Sequence, residues 1–128
     1  MTVRSAVLGR WVSTAASNHL FMTVPPGMTA LIKSINLTTG AGTAGTSIVF
    51  LQAPNAGQSD YLLLHTFTAS EQVVAWNGWV VADEGTEIRA YSEPPAVTFL
   101  VSGSMLSGVA NIPPVVATQP QPVGPPRP

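Results

Sequence analysis

Few residues of this 128-residue chain could take part in metal or acid–base chemistry. His19 and His65 are the only two histidines, and the chain has no cysteine. A structural zinc site needs about four ligands and a catalytic one about three protein ligands. We therefore expect no metal site and no cofactor. We interpret His19, in the polar stretch Ser17-Asn18-His19, as a surface histidine and His65 as an ordinary strand residue.

Three carboxylates surround one glycine in a pattern that could suggest a calcium loop. Asp83 and Glu84 precede Gly85, and Glu87 follows it by two residues. The spacing lacks the alternating acidic ligands of a calcium-binding loop. We interpret this segment as a solvated turn that precedes a strand.

Neither the serines nor the glycines form an enzyme motif. The segment Ser102-Gly103-Ser104 lacks the Gly-x-Ser-x-Gly elbow of a serine nucleophile. Gly40, Gly42 and Gly45 form a Gly-x-Gly-x-x-Gly string, but such a string binds a dinucleotide only between a parallel strand and a helix. Here the string precedes a predicted strand. The sequence predicts no catalytic residue and a protein that is not an enzyme.

The charge content indicates an assembled protein. Five Lys or Arg and six Asp or Glu residues make up 9% of the chain, whereas about 25% is usual. The net charge of −1 gives no electrostatic basis for binding nucleic acid or an anionic membrane. No apolar run approaches the roughly 18 residues of a membrane helix. An isolated monomer with this surface should be poorly soluble. We therefore expect a homo-oligomer.

The pattern of short apolar runs predicts an all-β body. β-branched and aromatic residues alternate with turns rich in Gly, Pro and Asn, which is typical of an antiparallel β-sandwich, a jelly roll or a small barrel. We expect eight or nine short strands in a sandwich or jelly-roll-like fold. The predicted strands cover residues 6–13, 20–24, 29–37, 46–53, 61–68, 72–76, 79–82, 87–92 and 97–105. The body spans residues 1–108.

Two strand patterns predict contact surfaces. In residues 61–67 both faces of the predicted strand are apolar, and in residues 48–51 Ile48 and Phe50 lie opposite Val49 and Leu51. A sandwich strand with one wet face should instead alternate apolar with polar residues. We expect Leu62 and Leu64 to lie on one face that contacts another subunit or the core. Trp76 and Trp79 flank Asn77-Gly78, a strong type I′ hairpin signal. This predicts a cross-strand tryptophan pair that contacts a glycan or a partner subunit.

Residues 109–128 form a proline-rich tail. Proline fixes φ and favours extended or polyproline II chain. The tail carries the apolar residues Ile112, Val115, Val116 and Val123, and it ends near Arg127. We expect these five residues to form a strap across a neighbouring subunit, with Arg127 paired to a carboxylate or carbonyl. The segment Pro122-Val123-Gly124-Pro125-Pro126-Arg127 also fits an SH3-type ligand, which is the alternative interpretation.

Several segments resemble a small β-sandwich module of tailed-bacteriophage virion proteins. They are Val24-Pro25-Pro26-Gly27 with the strand up to Ile35, Asp60-Tyr61-Leu62-Leu63, Glu84 to Ser92, and Phe99-Leu100-Val101-Ser102-Gly103. The resemblance covers roughly residues 20–105. It implies a structural subunit of the virion, made in the bacterial cytoplasm, that decorates the capsid or forms a minor part of the tail. Its partners would be copies of itself, with a trimer favoured by analogy to phage appendages and decorations, and the major capsid or tail proteins. A receptor- or glycan-binding module of a phage appendage is the alternative.

Overall fold

The computed structural model of the chain describes residues 2–40, 42–53, 59–69 and 73–107. These residues form eight β-strands. The strands are β1 (Thr2–Val12), β2 (Ser17–Thr23), β3 (Met28–Thr38), β4 (Gly45–Gln52), β5 (Ser59–Phe67), β6 (Val73–Ala82), β7 (Glu87–Ser92) and β8 (Thr98–Ser107). None of these residues belongs to a helix that could cross a membrane. The predicted all-β class is confirmed.

The strands form two four-stranded antiparallel sheets. Sheet A has the order β1-β8-β3-β6, and sheet B has the order β2-β7-β4-β5. The chain resembles one long hairpin that has been folded over, with β1 to β4 in one arm and β5 to β8 in the other. The two arms pair as β1–β8, β2–β7, β3–β6 and β4–β5. This arrangement of eight strands in two sheets is that of a jelly roll.

The hydrophobic core lies between the two sheets. Each sheet turns one side of its strands inward, so that buried and less buried residues alternate along β4, β6 and β7. The largest fully buried apolar side chains are Phe67, Phe99, Ile32, Ile35, Leu37, Ile88, Val24, Val49, Val97 and Val101.

Two turns at one end of the sandwich place a glycine at a positive φ angle. Gly27 ends the Pro25-Pro26-Gly27 turn between β2 and β3 with φ 75°, and Gly85 has φ 83° between β6 and β7. Such positive φ angles are unfavourable for residues with a Cβ. Glycine at these two positions therefore allows the chain to reverse direction there.

The predicted hairpin at Asn77-Gly78 is wrong. β6 runs without interruption from Val73 to Ala82, and neither residue of the dipeptide has the positive φ that a type I′ turn requires. Between the pairs Ile32–Val80 and Ser34–Asn77, the single residue Lys33 of β3 lies opposite two residues of β6, Gly78 and Trp79. The glycine thus marks a β-bulge, because pairing with β3 outweighs the local turn preference.

Candidate functional site

The two histidines lie on the opposite edge strands of sheet B. His19 is on β2 and His65 is on β5, with β7 and β4 between them, so about 14 Å of sheet separates them. His19 stacks on Trp11 with ring centroids 5.0 Å apart and meets Phe21 edge to face at 5.1 Å. His19 is partly exposed and also packs between these two aromatic rings. Desolvation lowers the pKa of its imidazole below the ordinary value.

The carboxylates near Gly85 support the local backbone. Glu84 Oε1 accepts a hydrogen bond from the Gly27 amide at 3.2 Å, and Glu87 Oε1 pairs with Arg89 Nε at 2.7 Å. Across residues 2–40, 42–53, 59–69 and 73–107, no group of three or more His, Cys, Asp or Glu residues is placed to hold a metal ion.

The turn that begins at Val24 and the segment from Glu84 to Ser92 are joined in space. The Val24 carbonyl accepts a hydrogen bond from the Gly85 amide at 2.8 Å, and the Val24 amide donates to the Thr86 carbonyl at 2.9 Å. The Gly27–Glu84 bond completes the link between the two turns. These residues hold β2, β3, β6 and β7 together at one end of the sandwich, which gives the motif a structural role.

The remaining enzyme-like patterns also lie in structural positions. Ser104 Oγ is buried and has no hydrogen-bond partner among the described residues, and it lies in sheet A, whereas both histidines are in sheet B. The glycine string joins two strands, β3 and β4, and no helix follows it. With the loop Glu93–Ala96 it borders an open cleft of about 520 Å³. The carboxylate at this cleft, Glu93, accepts a hydrogen bond from the Thr46 amide at 2.8 Å.

Trp76 and Trp79 do not form the predicted pair. They lie three residues apart on β6 and point to opposite sides of sheet A, so that Trp76 packs against the core. Trp79 is 74% exposed, and the Lys33 ammonium lies 5.2 Å from its ring centroid. A platform of two tryptophans is therefore absent from β6, and only Trp79 is presented outward.

Leu62 and Leu64 also differ from the prediction. In the register of β4 and β5, Val49 faces Leu63 and Phe50 faces Tyr61, so Leu62 is an extra residue in a β-bulge. Leu62 packs against the core, whereas Leu64 is 53% exposed on the outside of sheet B. The bulge reverses the side to which the first residues of β5 point. Tyr61 consequently lies on the outer side with Leu64.

The outer side of sheet B carries six apolar side chains in two neighbouring rows. In one row across the four strands, Leu20 faces Arg89, Arg89 faces Phe50, and Phe50 faces Tyr61. The next row contains Asn18, Tyr91, Ile48 and Leu64 in the same strand order. We call the apolar members of these two rows the B face: Leu20, Ile48, Phe50, Tyr61, Leu64 and Tyr91.

The B face is almost without charge. Its two rows contain a single charged side chain, Arg89, and Glu87 neutralises this guanidinium within the same strand. Phe50 and Tyr61 contact each other with ring centroids 6.1 Å apart. An apolar patch on a soluble protein normally marks a contact with another molecule. Among the described residues, the B face is therefore taken as the candidate contact surface.

Part of the B face could be predicted from the sequence. The apolar alternation of residues 48–51 correctly placed Ile48 and Phe50 opposite the buried Val49 and Leu51. Leu20, Tyr61 and Tyr91 were missed because their grouping depends on which strands are neighbours.

The predicted strap residues Ile112, Val115, Val116, Val123 and Arg127 lie outside the described residues. Comparison of the chain with models of known protein families and with curated protein sequences gives no match.

Proposed function

We propose that this chain is a non-enzymatic structural subunit of a tailed-phage virion. It would decorate or cement the capsid, or form a minor part of the tail, by contacting copies of itself and the major capsid or tail proteins. The observation that carries this proposal is the B face, an apolar and nearly neutral surface on a chain with only 9% charged residues. Covering such a surface with another subunit is favourable, because the apolar side chains are removed from water.

The size of the B face indicates what else an assembly would need. Four strands at about 4.8 Å spacing and two rows of side chains about 6.6 Å apart along the strands give a projected area of roughly 250 Å². A standard interface buries about 800 Å² on each partner. The B face would therefore supply part of a stable contact, and the proline-rich residues 109–128 are suited to supplying more. An extended strap loses little conformational entropy when it docks, because its φ angles are already fixed.

Two further observations support a virion role. The jelly roll recurs in viral capsid domains and also in lectins, so the fold allows the proposed role without fixing it. The segments that resemble the phage module come together as the Val24–Gly85 and Gly27–Glu84 hydrogen bonds. Their contact in space favours the view that they form one structural unit.

The proposal is tested on purified particles of the phage or prophage that encodes the chain. Mass spectrometry of gradient-purified particles should find the chain in a fixed copy number relative to the major capsid protein. Cryo-electron microscopy should then place its jelly roll at the capsid surface or on the tail. Absence of the chain from particles that are otherwise complete would refute the proposal.

A glycan-binding module is the second candidate, and the exposed ring of Trp79 is the observation that favours it. Because Lys33 lies over this ring, a sugar would have to stack on the other side of the indole. Titration with glycans should then quench tryptophan fluorescence in the wild type and in Trp76→Phe, but much less in Trp79→Phe. Equal quenching in the wild type and in Trp79→Phe would exclude Trp79 as the sugar contact.

A further inference from the structure

Of the features that usually protect an edge strand, the long strand β6 has only the β-bulge at Gly78 and Trp79. Among the described residues it pairs only with β3, and its ten residues, Val73–Ala82, include no charged residue and no proline. Edge strands normally carry charges or proline, or are short, because their unpaired backbone groups attract other strands. Of the other edges, β1 contains Arg4 and Arg10, β5 contains Asp60, and β2 has only seven residues.

The outward side chains of β6 are strongly apolar. Trp79 and Val73 are 74% and 67% exposed, the highest values among the large apolar side chains, and Val81 is 60% exposed. Their position on the strand at the sheet edge leaves them next to any chain that extends the sheet. Isolated apolar side chains on a surface are common, but three on one edge strand indicate a contact.

The order of residues in β6 is nearly symmetric about Asn77. On the outward side, Ala75 and Trp79 lie two residues from Asn77, and Val73 and Val81 lie four residues from it. On the inward side, Trp76 and Gly78 flank Asn77, and Val74 and Val80 lie three residues away. An antiparallel copy centred on Asn77 would therefore place each tryptophan opposite a small residue, Ala75 or Gly78, and each valine opposite a valine.

This symmetry defines one partner. We propose that β6 pairs antiparallel with β6 of a second copy of this chain, about a two-fold axis that passes beside Asn77 and runs perpendicular to sheet A. Such an axis keeps outward residues with outward residues, so the two sheets join into one eight-stranded sheet. β6 brings no charged side chain of its own into this contact. It uses the edge of sheet A and is independent of the B face and of the virion role.

The absence of cysteine from the chain allows a direct test by cross-linking. In the paired dimer, the Cβ atoms of two opposed residues lie about 4.5–5.5 Å apart. Asn77→Cys should therefore give a dimer with a short bis-maleimide. Val81→Cys alone should not, because its two copies would lie about 26 Å apart along the strands. A mixture of Val73→Cys and Val81→Cys chains should give the mixed dimer, since these positions face each other.

The cross-linking results either support or overturn the proposal. If Asn77→Cys gives no dimer, or if all single-cysteine variants cross-link equally, β6 does not pair in this way. Cross-linking at Asn77 without the mixed Val73–Val81 product would also refute the strand register. The cross-link should persist in Leu64→Asp, which alters the B face, so failure of the B-face contact can be distinguished from failure of this one.

A charge at the two-fold axis provides the second measurement. Asn77→Lys places two like charges opposite each other, which should weaken dimerisation by at least about tenfold. Thr38→Lys is the matched control, because Thr38 is an exposed residue on β3 and is not at the sheet edge. Analytical ultracentrifugation and thermal melting of both variants separate loss of the dimer from loss of the fold. Equal dimerisation of wild type and Asn77→Lys would overturn the proposal.

Discussion

Gly103 lies so close to Leu31 that a Cβ at position 103 would overlap the carbonyl oxygen of Leu31. The two residues belong to the paired strands β8 and β3, where Lys33 is an extra residue between the pairs Ile32–Gly103 and Ser34–Ser102. The β-bulge brings the two backbones together at this point. Glycine at position 103 is thus required by the bend of sheet A.

Gly103→Ala should destabilise the fold severely. Because the overlapping atom belongs to the backbone, no change of side-chain rotamer can relieve the clash, and a loss of about 3 kcal/mol or more is expected. Urea denaturation followed by circular dichroism measures it. Gly40→Ala is the matched control, since a Cβ there would meet no atom within 4 Å. Similar unfolding midpoints for the two variants would contradict the close approach.

Leu62 and Leu64 should respond differently to the same substitution. Leu62→Asp puts a carboxylate against the core and should lower the free energy of unfolding by about 3 kcal/mol. Leu64→Asp changes an exposed side chain and should alter it by about 0.5 kcal/mol or less. If the B face binds another subunit, Leu64→Asp should instead reduce self-association or particle incorporation. Thermal melting with analytical ultracentrifugation gives both quantities, and equal destabilisation by the two variants would refute the bulge at Leu62.

Local chemistry made some features of the fold predictable. Pro25-Pro26-Gly27 reverses the chain wherever it occurs, because proline fixes φ and glycine accepts φ 75°. Asn77-Gly78 carries an equally strong local signal, yet it lies within β6 because the strand pairs with β3 along its length. Turn signals were therefore reliable only where no neighbouring strand competed for the same backbone.

The candidate surface was less predictable than the strands. Alternation within β4 placed Ile48 and Phe50 correctly, since a regular strand has a period of two. In β5 the bulge at Leu62 shifts this period, and its position depends on the register with β4. The apolar character of Leu64 was visible in the sequence, but its grouping with Leu20 and Tyr91 depends on the jelly-roll strand order.

His19 should make the stability of the fold depend on pH. Burial between Trp11 and Phe21 lowers the pKa of the imidazole in the folded state, while the unfolded chain keeps a value of about 6.5. Below about pH 6.5 the unfolded state binds more protons than the folded state. The contribution of His19 to the free energy of unfolding is therefore largest above this pH and decreases as the pH falls towards the folded-state pKa. His19→Gln should therefore show a smaller decrease in melting temperature between pH 7.5 and 5.5. An identical decrease in the wild type and the variant would refute the role of His19.

Deletion of residues 112–128 should leave the jelly roll folded and weaken its attachment to the particle. The eight described strands end at Ser107, so the deletion removes none of them and the melting temperature should stay close to that of the full chain. If Ile112, Val115, Val116 and Val123 contact a neighbour, the truncated protein should be outcompeted by the full chain during particle assembly.

A co-expression experiment, with both forms quantified in purified particles by mass spectrometry, measures this competition. Equal incorporation would show that the tail is a passive linker. Loss of folding on truncation would show instead that the tail completes the core of its own subunit. A third variant, with Val115 and Val116 replaced by Ser in the full-length chain, separates apolar contact from length. Because this variant keeps every proline, reduced incorporation would identify the valine side chains as part of the strap contact.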